Sequence, residues 1–296
     1  MAYTPDNMEQ ASALLDAFVA AGGNAIDTAH NYGGEWVGRS ERAIGAWLQR
    51  SGNRDRVLLI DKGAHPDEHG QRVKPKAIAA DLRDSLERLG VERIDVYLLH
   101  RDDPSLPVGP IMEALNEHIA AGRVRAIGAS NWTHPRIEQA NAYARTHGIQ
   151  GFACSSTNLS LARAKEARWP GCVSLDAEGL AWHRHTQMPL FSWSAQAGGF
   201  FTGRYAPDRA DDADIVRVYD AEDNWERLRR ARALAAARGV SATQIALAYV
   251  LHQSFPAIPI IGPLTLAEFR VSVAVDDIAL SPSEVRWLNL EAETLG

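Results

Sequence analysis

The chain has 296 residues, 46% of them hydrophobic and 23% charged, and its formal net charge is −6. This length suits one α/β barrel and allows a core large enough to need no disulfide or metal staples. The acidic balance offers no basic face for nucleic acid or an anionic membrane, and the sequence contains no stretch of 18 apolar residues that could span a bilayer.

The opening residues are polar, with Asp6 and Glu9 and no apolar segment behind a basic one, so no secretory leader is expected. Cys154 and Cys172 are the two cysteines, too few for a disulfide-dependent secreted fold of this size. A cytoplasmic protein is the expectation.

Along the chain, amphipathic segments alternate with short apolar runs. The periodicity predicts a helix over residues 11–21, a strand over 25–29, a helix over 41–49 and a strand over 57–60. A helix follows over 76–89, where Ile78, Leu82, Leu86 and Leu89 recur every three or four residues on one face. Then come a strand over 95–99, a helix over 111–120, a strand over 126–129, a helix over 136–146 and strands over 152–155 and 190–194. The acidic segment 206–225 reads as a solvated loop, with a flap over a site as the alternative. A helix over 243–251, a strand over 257–261 and a capped helix over 281–290, opened by Ser281, Pro282 and Glu284, complete the chain.

The strand runs are almost wholly apolar, as in parallel strands buried on both faces. The expected architecture is therefore a single α/β domain over 1–296, a (β/α)8 TIM barrel of parallel strands covered by helices. Seven strands are counted where a closed barrel has eight, so the N-terminal first strand is expected to be absent or shortened. An uncovered strand edge at that seam would favour self-association into a homo-oligomer.

Active sites of such barrels lie at the C-terminal ends of the strands. The polar residues there are Asp27, Lys62, His100, Ser130 with Asn131, Ser155 with Ser156, and Trp193 with Ser194; Tyr32 follows Asp27 by five positions. Together they suit reduction of a carbonyl. Hydride addition leaves an alkoxide that needs a proton, and a tyrosine, with an ordinary pKa of about 10, is acid enough to give it. An ammonium beside it favours the phenolate and lowers that pKa. In this reading Tyr32 is the proton donor, Lys62 the activating cation, Asp27 the anchor of Lys62, and His100 the hydrogen-bond donor to the carbonyl oxygen.

The chain resembles the aldo-keto reductase superfamily. Residues 26–33 (Ile-Asp-Thr-Ala-His-Asn-Tyr-Gly) are similar to that family's tyrosine signature, and Asp61-Lys62-Gly63 and Leu98-Leu99-His100 to its lysine and histidine strands. Gly128-Ala129-Ser130-Asn131 is similar to its nicotinamide-amide site, and Ser194 through Gly203 to its pyrophosphate loop. The resemblance implies a tetrad of Asp27, Tyr32, Lys62 and His100, and NADP or NAD as cofactor. It implies Ser130 and Asn131 on the carboxamide, Trp193 stacked on the nicotinamide ring, and Ser194 with the backbone near Gly198 and Gly203 on the pyrophosphate. Ser156 stands where the family has glutamine, Leu159 where an aromatic residue follows, and Ser272 where an asparagine meets the adenine. Pro263-Leu264-Thr265 follows Gly262 in place of a basic 2′-phosphate ligand, and Glu268 stands where Arg or Gln is usual. A carboxylate repels that phosphate and can accept from a ribose hydroxyl, which favours tolerance of NAD.

Trp36, Trp132 and Arg101 are the candidate substrate contacts; packing for the tryptophans and rim pairing for Arg101, Asp102 and Asp103 are the plainer readings. Trp182 reads as helix packing, and His65 and His69 as residues of a solvated loop. His183 and His185 cannot share a helix face, so no metal is expected there. The segment 198–204 lacks the Lys and Ser/Thr of a phosphate loop, which rejects ATP binding through it. Two other functions stay open: a nicotinamide-nucleotide-binding barrel with little catalysis, acting as sensor or subunit, and a Schiff-base lyase using Lys62. The expected partner is a small carbonyl or alcohol, with sugars and polyols within the substrate range.

Overall fold

The computed structural model describes residues 4–33, 37–206 and 212–295. It has the α/β architecture of a (β/α)8 barrel with seven strands among the described residues, ordered as in the sequence. The chain divides into two compact units, Met1–Ser155 with Gly262–Phe269, and Ser156–Ile261 with Arg270–Gly296.

The first unit runs α1 (Met8–Ala20), β1 (Ala25–Asp27), α2 (Arg39–Ser51), β2 (Leu58–Gly63), α3 (Pro75–Leu89), β3 (Ile94–Leu99), α4 (Val108–Ala120), β4 (Val124–Ser130) and α5 (His134–His147). β1 pairs with β2, β2 with β3 and β3 with β4, all parallel, with Ile26 opposite Leu59, Lys62 opposite Leu98 and Leu98 opposite Gly128. Leu59, Ile60, Tyr97, Leu98 and Leu99 are buried on both strand faces, which is why these runs lack polar alternation. On α3, Ile78, Leu82 and Leu89 are buried as the periodicity predicts, each contributing about 1.5–3 kcal/mol relative to exposure.

Two glycines are required by close approach. A Cβ on Gly45, inside α2, would lie 2.5 Å from the Arg88 carbonyl oxygen, so α2 meets the end of α3 backbone against backbone. A Cβ on Gly63 would lie 1.9 Å from Tyr97 Oη, so only glycine fits beyond Lys62.

Behind β2 sits a pair of buried acids. Glu41 and Asp61 are both fully buried, and Arg88 Nη1 donates to Glu41 Oε2 at 2.9 Å. Burial, then the neighbouring Glu41, pushes the Asp61 carboxyl well above the usual carboxylate range. The folded chain therefore holds a proton that the unfolded chain releases as pH rises past about 4, so this group's contribution to stability falls as pH rises. Asp61→Asn copies the protonated form. Its melting temperature is expected to match the parent at pH 4 and to exceed it by about 2 °C or more at pH 8; an equal or lower value at pH 8 in thermal denaturation would show that Asp61 is ionised.

The second unit carries α6 (Ala177–Thr186), β6 (Leu190–Ser192), α7 (Ala213–Tyr219), α8 (Glu222–Arg238), α9 (Ala242–Leu251), β7 (Ala257–Pro259) and α11 (Pro282–Leu288). β5 (Cys154–Ser156) and α10 (Leu266–Val273) lie at the divisions between units. β6 and β7 are parallel, with Phe191 opposite Ile258. The core of this unit is built from Leu190, Phe200, Tyr219, Leu228, Ile245, Tyr249 and Leu288. α9 is buried from Ile245 to Val250 and opens on a capping box of Ser241 and Gln244. Ser281 and Glu284 form the expected box at α11.

The segment 206–225 departs from the sequence reading. Its described part is not a solvated loop: Ala213–Tyr219 is helical, buries Ile215, Val218 and Tyr219, and is capped by Asp212, whose side chain accepts from the amides of Asp214 and Ile215. Asp212, Asp214, Glu222 and Asp223, among the acidic residues that suggested a loop, sit at helix starts, where carboxylates suit free amides and the helix dipole. No single helix among the described residues is long and apolar enough to cross a membrane.

Candidate active site

Strand ends of the first unit bring Asp27, Lys62 and His100 together. Pairing continues past the end of β1, with the Thr28 amide donating to the Ile60 carbonyl and the His30 amide to the Lys62 carbonyl. The Tyr32 amide then donates to Ala29, and the Ser40 amide to Tyr32, tying the tyrosine turn to the start of α2. The Ala64 amide beyond β2 donates to Asp81 Oδ2 at 2.8 Å, and Arg72 Nη1 donates to the same oxygen at 3.0 Å, so α3 holds the strand end. That contact keeps Ala64 in the left-handed region, at φ 59°.

Lys62 is 2% exposed as a side chain, and its Nζ donates to both Asp27 oxygens at 2.7 Å and to the Thr28 carbonyl at 2.6 Å. The same Nζ lies 4.8 Å from the centroid of the Tyr32 ring. The His100 ring meets Tyr32 edge-on, 5.6 Å between centroids. Burial alone would lower the Lys62 pKa, but Asp27 and then Tyr32 outweigh it and the net direction is upward. A lysine favoured as ammonium is a poor nucleophile, which opposes the Schiff-base reading.

The expected lowering of Tyr32 by Lys62 is present but does not prevail. Burial pushes the phenol up, Lys62 opposes it, and the result lies above the ordinary tyrosine value. Tyr32 is thus protonated in the neutral range. His100 is pushed well below the usual histidine value, first by burial, then by Lys62, Arg101 and His65. Its imidazole is neutral at pH 7, and Nδ1 is buried with no partner among the described residues.

The His100 backbone carbonyl is gripped from two sides, accepting from Arg101 Nη1 at 2.8 Å and from Asn131 Nδ2 at 3.1 Å. Asn131 takes a left-handed backbone, φ 59°, and Nδ2 also donates to Ser130 Oγ at 3.1 Å. Trp132 is 1% exposed, meets Phe152 edge-on and donates from Nε1 to the Arg101 carbonyl. Its packing holds the Arg101 segment in place. Asp102 pairs with Arg136 at 3.2 Å, the rim pairing read from sequence. Trp36 lies outside the described residues.

His65 corrects the solvated-loop reading. It is half-buried, its Nδ1 hydrogen-bonds to the Pro66 carbonyl oxygen, and its ring meets His100 at 4.9 Å. Its position just past the end of β2 was the available signal. His69 is exposed, as expected. Glu268 accepts from the Leu264 amide at 2.7 Å, while its own amide donates to Thr265 Oγ1, so it caps the turn at 264–268.

In the second unit, Ser156 is fully buried and Ser272 nearly so, with Gln196 Nε2 donating to Ser272 Oγ at 3.5 Å. Trp193 and Ser194 follow β6, and Ser194, Ala197, Gly198, Gly199 and Gly203 all have positive φ. The amides of Ala197 and Gly199 donate to the carbonyls of Ser194 and Gln196, so this stretch is a run of tight left-handed turns. Arg168 was missed by sequence reasoning; its Nη1 donates to Ser194 Oγ at 3.3 Å. No local pattern marked it, because it sits in an irregular segment far from Ser194 in sequence.

The strand ends of this parallel α/β fold thus gather a phenol, an ammonium, a carboxylate and a neutral imidazole. The chain belongs to the aldo/keto reductase family, whose model matches residues 1–289. It is 32% identical to norsolorinic acid reductase stcV of Emericella nidulans, over 94% of this chain and 70% of that protein. It is 30% identical to the aldo-keto reductase ausK of Aspergillus calidoustus, over 95% and 71%, and 29% identical to an NADP(+) aryl-alcohol dehydrogenase of Phanerodontia chrysosporium, over 93% and 74%.

Proposed function

We propose that the protein reduces an aldehyde or ketone, or oxidises the corresponding alcohol, with NADPH or NADH, and that Tyr32 is the proton donor. The observation that carries this reading is the contact of Lys62 with Asp27 over the Tyr32 ring, beside a neutral His100. The relatives' names, a norsolorinic acid reductase and an aryl-alcohol dehydrogenase, favour an aromatic carbonyl.

The chemistry of the residues fits a nicotinamide dinucleotide. Ser130 and Asn131 are buried and can both donate and accept, as a carboxamide requires. Trp193 offers an indole face, and the glycines of the left-handed turn at Ala197–Gly199 let a phosphate approach the backbone closely. Ser156, Gly203, Glu268 and Ser272 complete the proposed cofactor contacts, and Arg101, Trp36 and Trp132 those for substrate. When bound, the nucleotide supplies the hydride. Tyr32 gives its phenolic proton to the alkoxide oxygen, Lys62 balances the phenolate left behind, and Asp27 holds Lys62 in place. A ring N–H of His100 points the carbonyl oxygen by a hydrogen bond, a role open only to a fixed imidazole. The two free cysteines fit the reducing cytoplasm expected from sequence.

The test is a titration with NADPH and NADH, followed by tryptophan emission, and turnover of a panel of aromatic and aliphatic aldehydes. Saturable binding with turnover supports the reading; binding without turnover assigns a sensor or subunit; no binding refutes it. The pH dependence follows from the site. Because His100 stays neutral below its usual range and Tyr32 stays protonated above its own, kcat/KM for reduction is expected to be flat from pH 6 to 9. Alcohol oxidation, which needs the phenolate, is expected to rise across that whole range. An acid limb in reduction centred near 6.5 would mean that His100 titrates as an ordinary histidine.

A further inference from the structure

We propose that Arg168 is the cationic ligand of a pyrophosphate group in the second unit, an assignment that rests on the dinucleotide reading above. The residue lies on the irregular segment between β5 and α6. Its guanidinium reaches two parts of one turn. Nη1 donates to Ser194 Oγ at 3.3 Å, and a Cβ built on Gly198 would meet Nη1 at 3.1 Å and Nη2 at 3.2 Å. The fork therefore lies directly against a backbone that is left-handed at Ser194, Ala197, Gly198 and Gly199.

Arg168 is built in. Its Cζ lies 4.8 Å from the Trp169 ring, and Trp169 lies 5.9 Å from Trp193. Its own carbonyl accepts from Arg217 Nη2 at 2.9 Å, and Arg217 also pairs with Asp214 and Glu166. The side chain itself has no carboxylate within ion-pair distance among the described residues, and its Nε is buried without a hydrogen-bond partner. A half-buried guanidinium stacked on an indole, with an unanswered donor and the close backbone of Gly198 beside it, is matched by a multi-oxygen anion. A planar fork suits two phosphate oxygens at once, which a lysine cannot reproduce. A pyrophosphate presents such oxygens on adjacent groups, and NADH and NADPH share it, so the contact adds affinity without choosing between them.

The test measures binding of ADP-ribose, which carries the pyrophosphate without nicotinamide, by calorimetry on the full chain at 50 and 500 mM salt. Arg168→Met is expected to weaken binding about tenfold at low salt, with a smaller loss at high salt, where the charge contact is screened. Arg168→Lys is expected to recover part of the loss. NADH and NADPH should weaken by the same factor in Arg168→Met. Circular dichroism checks the fold, and Arg168→Lys carries the test if the methionine variant does not fold. Parent-like ADP-ribose affinity in Arg168→Met, or an equal loss at both salts without rescue by lysine, would overturn the assignment. If the parent chain binds none of the three nucleotides, the dinucleotide reading itself fails; if it binds and Arg168→Met is indifferent, only the role of Arg168 fails.

Discussion

Tyr32→Phe is expected to lower kcat by about 10²–10⁴-fold while leaving the affinity for NADPH or NADH within twofold of the parent. The substitution removes one oxygen and keeps the ring that meets His100 edge-on and lies under Lys62. In the proposed mechanism the lost oxygen carries the proton that the alkoxide takes, so the effect should fall on the chemical step and not on KM. Single-turnover rates with a reactive aromatic aldehyde, set beside nucleotide titration of the same variant, separate the two. A variant with full turnover would move proton donation to another group, and the half-buried His65 beside His100 would be the first to examine.

Lys62→Met is expected to lose both activity and stability. Lys62 and Asp27 form an ion pair with side chains 2% and 11% exposed. Removing the cation leaves a buried carboxylate facing an apolar chain, and breaking such pairs from one side costs about 3–5 kcal/mol. Replacing both partners is much milder. The double variant Asp27→Asn, Lys62→Met is therefore expected to recover most of the lost stability in urea denaturation, yet none of the lost turnover. That split identifies the pair as part of the catalytic machinery. Recovery of turnover in the double variant would mean that the ammonium does no chemical work. If Lys62→Met alone were as stable as the parent, Asp27 would have to be protonated in the folded chain.

Period and composition were enough to find the strand–helix alternation. The seven predicted strands occur at their expected places, with ends shifted by a few residues: residues 57–60 became Leu58–Gly63, and 190–194 became Leu190–Ser192. Strand interiors are set by local burial on both faces, whereas strand ends depend on which neighbour continues the pairing. The acidic stretch after residue 206 misled for a related reason. Asp212 and Asp214 look solvated in sequence, but the first caps α7 and the second pairs with Arg217. Composition cannot distinguish a carboxylate that waits for water from one that finishes a helix.

The polar residues ending β1, β2 and β3 could be named from sequence because a parallel α/β fold delivers strand ends to one side whatever the details of packing. That rule, and the motif spacing, determined Asp27, Lys62 and His100 as partners and Tyr32 as their neighbour. What each does electrically was decided by tertiary structure. Burial, absent from any local pattern, turns Tyr32 upward despite Lys62 and makes His100 a neutral imidazole. The place of His65 against His100, the grip of Arg101 and Asn131 on the His100 carbonyl, and the reach of Arg168 to Ser194 were likewise settled only by the fold. Periodicity records which face of an element is buried; it carries no trace of contacts between residues tens of positions apart, and those contacts set the surroundings of Tyr32, Lys62, His100 and Arg168.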